Sequence, residues 1–394
     1  MKKEWKEKKT SLGNAIIMSA IAVVVGIVLG VNSKSWFSNF SAYLGLSSSS
    51  QSDWSALDEV YNKLSSTYNG EIDKSALIEG AKKGMVEALG DVYTLYMDSE
   101  ETSDFNDSLH GNVGSGIGVE MGLRDGYVRV LRTLPDNPAR EAGVLAGDII
   151  YKVDGEEVYD LSTDEISQRL RGEAGTEVTM TVVRNGEEKS FTMIRETINN
   201  VSAYVEYDGT TAIVTATRFD TDTGSTIRGF AQEFSSKGIT KVILDLRNNG
   251  GGYVSAAQDL LSLWLDGETV LIQKSVHFGN SVTKTSSGRA ILKDMETVVL
   301  INGSTASASE IVAGALQDYG KATLLGETTY GKGVVQTLYN LSNGTSLKVT
   351  TAAWYTPLER TINGTGISPD VEVERSYDDI NAMRDPQLDA AKAL

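Results

Sequence analysis

The sequence contains no cysteine and only two histidines among its 394 residues. Without cysteine the protein has no disulfide bonds, no thiolate nucleophile and no cysteine-ligated metal. With two histidines and no HExxH pair, a zinc site is not expected, and we predict neither a metal nor a cofactor. Proline is also scarce (5 residues), whereas the 39 glycines favour strand turns and close approaches of the backbone.

The bulk composition limits the class of protein further. A formal net charge of −17 argues against nucleic acid as a partner, because its phosphates would repel an acidic surface. A hydrophobic content of 40% supports folded cores, and 394 residues are enough for two or three domains. We therefore expect a folded, multidomain protein that binds no nucleic acid.

One long apolar run stands near the N-terminus, at residues 14–31. At ~1.5 Å per residue it is long enough to cross the ~30 Å core of a bilayer as a helix. Five lysines lie within residues 1–13, which predicts a cytoplasmic N-terminus and places the rest of the chain outside the membrane. A cleaved signal peptide is the alternative, but no A-x-A site follows the run, so an uncleaved transmembrane anchor is favoured.

Composition and periodicity divide the rest of the chain into five segments. The serine-rich residues 32–52 are predicted to form a linker and residues 53–110 a small helical subdomain. Short strands with glycine turns fill residues 111–197, and strand–turn–helix units fill residues 198–375, followed by a C-terminal segment at 376–394. The predicted class is mixed α/β (α+β), with a partly parallel sheet in residues 198–375.

Residues 111–197 resemble a PDZ domain, a small β-sandwich with helices, of the type found in bacterial proteases. The resemblance rests on the motifs PARxAGV from Pro138 and GDIIxxVDG from Gly147. It implies that the glycine-rich loop holds a terminal carboxylate and that the following strand pairs with an extended peptide. A β-domain whose glycines only make turns is the alternative. The predicted peptide-binding residues are Gly116, Ile117, Gly118, Val119, Ile166, Leu170 and Arg171.

The stretch from Ser304 to Gln336 carries the candidate chemistry. Its first part is a turn of small residues that opens a predicted helix and holds Ser304, Ser307 and Ser309. A serine nucleophile needs a base, and neither His110 nor His277 lies in a segment of catalytic type. Lys332, which stands between two glycines, is therefore the favoured base.

The same stretch also matches the beginning of a phosphate-binding loop, G-x4-G-K, at residues 326–332. Two features exclude that interpretation. Gly333 stands where serine or threonine would hold magnesium, and the residues that follow are typical of a strand rather than of a helix N-terminus.

From residue 53 to 374 the chain resembles the carboxyl-terminal processing peptidases, serine proteases with a Ser-Lys dyad. The motifs are LDLRNNGGG (244–252), ASASEIVAGALQDYG (306–320), TYGKGVVQ (329–336) and GISPD (366–370). The resemblance implies that Ser307 is the nucleophile, that Lys332 is its base and that Gln336 orients the lysine. Because an ordinary lysine is protonated at neutral pH, we expect burial to lower the pKa of Lys332, which allows a neutral amine to act as the base.

The resemblance also implies an oxyanion hole and a set of supporting residues. Other members often carry proline, which has no N–H, at the position of Gly250, so Gly251 and Ala308 are the predicted donors. Arg247, Glu310 and Asp318 match motif positions that support the site, and a purely structural role is an equal alternative for them.

The predicted function is tail-specific proteolysis at the outer side of a bacterial cell membrane. The PDZ domain would capture free, apolar protein C-termini, and the dyad would cleave the captured chain, with Arg171 coupling the two events. The oligomeric state, homo-oligomers included, is left open by the sequence. The alternative function is a catalytically inactive, membrane-tethered PDZ protein that only binds peptides.

Overall fold

A computed structural model describes residues 54–124, 126–285, 290–382 and 384–394. The predicted membrane anchor and the predicted linker lie outside these residues. Within the described ranges, no helix is both long and apolar enough to cross a bilayer. The chain divides into two compact units, residues 1–76 and 77–394.

The described part of the first unit is helical, as predicted. Helix α1 spans Ser55–Thr67, and α2 (Lys74–Glu87) begins just before the boundary of the unit. The carboxylate of Asp73 caps α2, because its Oδ1 accepts hydrogen bonds from the N–H groups of Ser75 (2.8 Å) and Ala76 (3.1 Å).

The second unit contains the remaining elements. Its helices are α3 (Ser99–His110), α4 (Pro138–Glu141), α5 (Thr163–Leu170), α6 (Thr223–Phe234), α7 (Val254–Leu261), α8 (Ala308–Asp318), α9 (Tyr377–Asn381) and α10 (Pro386–Ala393), with a 3-10 turn at Ser342–Gly344. Its strands are β1 (Leu95–Met97), β2 (Ser115–Gly116), β3 (Val119–Arg124), β4 (Tyr127–Thr133), β5 (Ile149–Val153), β6 (Glu156–Glu157), β7 (Glu177–Arg184), β8 (Glu187–Ile194), β9 (Glu196–Thr197), β10 (Ala203–Asp208), β11 (Thr211–Ala216), β12 (Lys241–Asp245), β13 (Thr269–Ser275), β14 (Gly279–Lys284), β15 (Glu296–Ile301), β16 (Thr323–Gly326), β17 (Val334–Asn340), β18 (Ser346–Tyr355) and β19 (Val371–Glu372).

The segment that resembles a PDZ domain forms its own sheet and core. The strand order is β3-β4-β5-β7-β8, β6 pairs with β5, and β2 pairs separately with β9. The long hairpin β7–β8 turns at Asn185 and Gly186, both at positive φ (55° and 80°), which suits a tight hairpin turn. Within the described chain, strand β3 has only one strand neighbour, so its outer edge is open for pairing with a peptide.

The largest core surrounds a six-stranded sheet of order β10-β11-β12-β15-β16-β19. All neighbouring pairs are parallel except β10–β11, which confirms the partly parallel sheet. In such a sheet, functional residues collect beyond the carboxyl ends of the strands. Here β12 ends at Asp245 and the adjacent β15 at Ile301, which brings the loop 246–253 beside the turn 302–307.

A second sheet, of order β1-β18-β13-β14 with β17 on β18, completes the protease part. Strand β1 belongs to the predicted helical subdomain, yet Leu95 pairs with Lys348 of β18. Residues 95–97 therefore contribute to a protease sheet, a long-range pairing that no local pattern indicated.

The C-terminal segment 376–394 packs on the six-stranded sheet and also on the segment that resembles a PDZ domain. Ala391 of α10 is fully buried in a small core with Ile243 and Leu300. A Cβ atom at Gly147, in the PDZ segment, would lie 2.5 Å from the side chain of Ile380, so α9 approaches that loop closely.

Candidate active site

The nucleophile candidate Ser307 is the last residue of the turn before α8. Its backbone has φ 55° and ψ −116°, a conformation that non-glycine residues adopt at a cost of about 1–3 kcal/mol. A comparable strained turn between strand and helix presents the serine of other hydrolases to the substrate. Hydrogen bonds hold the turn on both sides, from Ala306 N–H to Asn249 O (3.0 Å) and from Ile311 N–H to Ser307 O (3.0 Å).

Glu310 connects the serine turn to the lysine segment. This carboxylate is fully buried, and four donors bind it. Oε2 accepts from the N–H groups of Ser307 (2.8 Å) and Lys332 (3.0 Å). Oε1 accepts from the hydroxyl of Thr329 (2.6 Å) and the N–H of Gly331 (2.7 Å). The predicted supporting role of Glu310 thus has a geometric basis, since one side chain positions both backbone segments.

Lys332 lies in surroundings that favour its neutral form. Burial lowers the pKa of Lys332, and the positive charge of Lys348 lowers it further, whereas the negative charge of Glu310 opposes both effects. The ammonium nitrogen lies 5.4 Å from the centroid of the Tyr93 ring. The carbonyl oxygen of Lys332 accepts a hydrogen bond from Trp354 Nε1 (2.8 Å), which fixes the backbone from which the side chain projects.

Ser307, Lys332 and Gln336 line one cleft of about 620 Å³. The other lining residues come from α3, from the segment between β11 and α6 (Arg218 and Phe219), from residues 250–254, from α8 and from strands β17 and β18. Neither histidine is among the lining residues, and His110 Nδ1 lies instead 2.7 Å from the carbonyl oxygen of Asn106. The cleft therefore contains the side chains that were predicted to act together.

The three predicted catalytic side chains are not bonded to one another in this structure. Among the described residues, no hydrogen bond joins Ser307 to Lys332, and the Gln336 amide nitrogen is buried without a partner. Catalytic hydrogen bonds often tighten only when the substrate binds. The Gln336 amide thus has a donor to offer at that step.

The two predicted oxyanion donors differ in availability. Gly251 has φ 101°, and a Cβ there would lie 2.8 Å from both Ser307 Cβ and Ala308 N, so this loop packs directly on the nucleophile. Its N–H already donates to Asn249 Oδ1 at 2.9 Å. Within the described chain, no bond occupies the N–H of Ala308. Ala308 is thus ready to donate, whereas Gly251 must first release Asn249.

Two of the predicted supporting residues lie away from the cleft. Arg247 is largely buried and forms ion pairs with Asp245 (2.6 Å) and Asp385 (2.8 Å), which connect the end of β12 to the C-terminal segment. Asp318, at the far end of α8, binds Arg360 and the N–H of Leu358. Neither residue lines the cleft, so their contacts support the structural alternative.

A cavity lies between β3 and α5, where the sequence predicts the peptide groove. Six of the predicted residues line a cavity of about 410 Å³, namely Gly116, Ile117, Gly118, Val119, Leu170 and Arg171. The assignment of Ile166 is corrected, because this side chain is fully buried in the core of the segment and does not line the cavity. Adjacent positions of the helix face the core and the groove, and Ser167 lines the groove instead.

Several residues of the site were missed at the sequence level. Asn249 could have been predicted from the sequence, since it belongs to the LDLRNNGGG motif and directly precedes the predicted oxyanion loop. Lys348 and Tyr93 lie in segments without a catalytic motif. Only the pairing of β17 and β18 and the long-range fold bring them to Lys332.

The comparisons with known proteins agree with this architecture. Residues 210–373 match the model of peptidase family S41, and residues 129–184 match a PDZ domain. Residues 33–102 match the model described as the N-terminal domain of the activating protease CtpB.

Similar proteins cover almost the whole chain. A probable CtpA-like serine protease of Staphylococcus aureus (strain COL) is 34% identical over 97% of this chain and 75% of its own length. One of Staphylococcus epidermidis is 33% identical over 94% and 74%. Among solved structures, a photosystem II D1 C-terminal processing protease is 28% identical with a TM-score of 0.57, covering 82% of this chain and 87% of that one. A putative S41 protease from Bacteroides fragilis (17% identity, TM-score 0.57, 78% and 88% covered) shares the fold.

A PDZ domain, a family S41 protease domain and a relative above 30% identity that spans nearly the whole chain agree on one assignment. The protein belongs to the carboxyl-terminal processing peptidases, and it is a serine-type peptidase of that family.

Proposed function

We propose that this protein is a membrane-anchored, extracytoplasmic endopeptidase that binds substrate C-termini in its PDZ groove and cleaves them with Ser307 and Lys332. The observation that carries the proposal is the shared cleft of Ser307, Lys332 and Gln336. The peptide groove adjoins this cleft, because Ser108, Arg218 and Gly250 line both cavities.

The chemistry begins with neutral Lys332. Its amine takes the proton of Ser307 while Oγ attacks the substrate carbonyl, and the oxyanion forms beside the N–H of Ala308. The lysine ammonium then returns the proton to the leaving amine, and water hydrolyses the acyl-enzyme by the same route. The unpaired amide nitrogen of Gln336 supports a role for this side chain in orienting the lysine in this step.

The groove supplies the selection of the substrate. The open edge of β3 offers backbone groups to an extended chain, and the glycine-rich loop before it offers N–H groups to a carboxylate. Leu170 provides an apolar contact for the last side chain. This arrangement supports a preference for free, apolar C-termini.

Replacing Ser307, its candidate base Lys332 and the neighbouring Ser304 tests the nucleophile. With a fluorogenic peptide that ends in an apolar residue, Ser307→Ala and Lys332→Ala should each lower kcat by at least about 1000-fold. Ser304→Ala is the matched control, because Ser304 lies in the same turn but does not line the cleft. Unaltered turnover in Ser307→Ala would remove this serine from the mechanism, whereas a wild-type protein that binds the peptide without cleaving it would favour a protein that only binds peptides.

The membrane anchor needs a separate test, since its support comes from the apolar run and the flanking lysines alone. In bacterial protoplasts, an added protease should digest residues 54–394. After the cells are broken, the undigested protein should sediment with the membranes. Recovery in the soluble fraction of a chain that begins after residue 31 would indicate a cleaved signal instead.

A further inference from the structure

Arg218 stands where the peptide groove meets the catalytic cleft. It lies between β11 and α6, and it is the charged member of the three residues that line both cavities. A substrate whose C-terminus is held by the groove and whose scissile bond lies at Ser307 must pass this side chain.

The guanidinium of Arg218 has donors that the structure leaves unused. Its NH2 group binds Asp220 Oδ2 at 2.8 Å, whereas Nε and NH1 are buried without any partner among the described residues. The side chain is 17% exposed. It lies against Gly111, where φ is 71° and any Cβ would collide with the guanidinium carbon. Buried donors without acceptors are rare in folded proteins, so this arrangement calls for an explanation.

A peptide chain in this passage offers the missing acceptors. The tail that pairs with β3 satisfies its backbone groups there, but beyond the end of the strand its carbonyl oxygens lose water without gaining a ladder partner. A guanidinium only donates hydrogen bonds, and a carbonyl oxygen is the acceptor that every substrate sequence carries at this point.

We propose that Arg218 is a substrate-positioning residue that binds a backbone carbonyl of the chain between the PDZ groove and the cleft. The contact is made through Nε or NH1, the two donors that the ion pair with Asp220 does not use. This inference rests on the proposed function, since it requires a substrate that occupies groove and cleft together.

The neighbouring residue links this contact to the oxyanion loop. Phe219 N–H donates to Gly251 O (2.9 Å), and Tyr253 N–H donates to Phe219 O (2.8 Å). A substrate bound to Arg218 can therefore shift, through Phe219, the segment that packs against Ser307. We expect the contact to influence kcat as well as KM.

Two fluorogenic substrates with the same cleavage segment test the proposal. One continues into a long tail with a free apolar C-terminus, and the other is a short peptide that fills only the cleft. In the full chain, Arg218→Gln should lower the ratio of kcat/KM (tailed over short) about tenfold or more, as expected for the loss of a hydrogen bond to a charged donor. Arg218→Lys, which keeps a charged donor, should restore part of the ratio.

Asp220→Asn is the matched control, because it weakens the ion pair and leaves the guanidinium in place. It should keep the wild-type ratio. An equal loss on both substrates in Arg218→Gln, or the same fall of the ratio in Asp220→Asn, would overturn the inference in favour of a structural ion pair. If Arg218→Gln does not fold in a thermal melt, a lowered ratio in Arg218→Lys with a wild-type ratio in Asp220→Asn supports the inference, and a wild-type ratio in Arg218→Lys overturns it.

Failure of the proposed function can be distinguished from failure of the inference about Arg218. Cleavage that persists in Ser307→Ala overturns the proposed mechanism and this inference together. Cleavage that depends on Ser307 but shows a constant ratio across the Arg218 variants overturns the inference alone.

Discussion

The backbone N–H groups of Ser307 and Lys332 donate to the same atom, Oε2 of Glu310, at 2.8 and 3.0 Å. The two segments adjoin different sheets, and this buried oxygen sets the spacing of their backbones. A shift of Glu310 would therefore move the nucleophile and the base relative to each other.

Replacement of Glu310 by glutamine should damage both stability and catalysis. The amide would place an NH2 group against at least one pair of donors, leaving two buried donors unpaired at about 1–3 kcal/mol each. We expect a free energy of unfolding lower by about 2–6 kcal/mol and a kcat lower by at least about 100-fold. Chemical denaturation and turnover of a short peptide measure the two effects.

Thr329→Val is the matched control for this network. It removes the hydroxyl that binds Oε1 but leaves both N–H contacts of Oε2 in place. We expect a loss of about 1–3 kcal/mol in stability, because the buried N–H of Ile367 also loses its acceptor, the Thr329 hydroxyl, and a change in kcat below about tenfold. A Glu310→Gln variant that keeps wild-type kcat would show that Oε2 does not position the dyad.

The acid side of the pH–rate profile should depend on Lys348. The base must be neutral, so activity rises as pH increases through the pKa of Lys332. Burial lowers this pKa first and Lys348 second, while Glu310 raises it. Lys348→Met removes a positive charge, so the pKa of Lys332 rises, the acid limb moves to higher pH and the rate at neutral pH falls.

Lys348→Arg controls for the loss of charge in that experiment. Arginine keeps the positive charge and the packing over the Phe105 ring, from which the Lys348 nitrogen lies 5.1 Å in the wild type. Its acid limb should stay close to the wild-type position. An acid limb that does not move in Lys348→Met would assign the lowered pKa of Lys332 to burial alone.

Gly251 and Gly250 should respond in opposite ways to substitution. A Cβ at Gly251 would collide with the nucleophile turn at 2.8 Å, and φ is 101° there, whereas no described atom lies within 4 Å of a Cβ at Gly250. We expect Gly251→Ala to lower kcat by at least about 100-fold and Gly250→Ala to retain most activity. Initial rates together with a thermal melt separate a lost site from a lost fold.

Gly250→Pro identifies the second oxyanion donor. Proline removes the N–H of residue 250 and leaves that of Gly251. Retained activity is expected if Gly251 releases Asn249 and donates to the oxyanion. A fall in kcat of about 100-fold or more, with Gly250→Ala still active, would assign the donor to Gly250.

Arg171 tests the coupling between the peptide groove and the cleft. It follows α5, lines the groove and is exposed. We expect Arg171→Ala to reduce the stimulation by a tail with a free carboxylate and to leave the weaker stimulation by an amidated tail unaffected. Identical rates for wild type and Arg171→Ala with both tails would end the coupling hypothesis.

Much of the fold could be predicted from local patterns. The helix at residues 163–170, the hairpin turn at Asn185–Gly186 and the partly parallel sheet all follow from periodicity and turn chemistry and are confirmed. The helical subdomain was only partly predictable, since β1 exists through its pairing with β18. Ile166 was misplaced because a helix pattern shows which residues are apolar but not which of them face the core and which face a groove.

The amino-acid sequence by itself determined the family, the domain order and the identity of Ser307, Lys332 and Gln336 as candidates, because long motifs and the near absence of histidine are local properties of the chain. Only the tertiary structure decided that Glu310 joins the two segments, that Lys348 faces the candidate base, and that Arg218 lies between groove and cleft. These relationships join residues far apart in the chain. They arise from strand pairing and burial, which local sequence patterns do not encode.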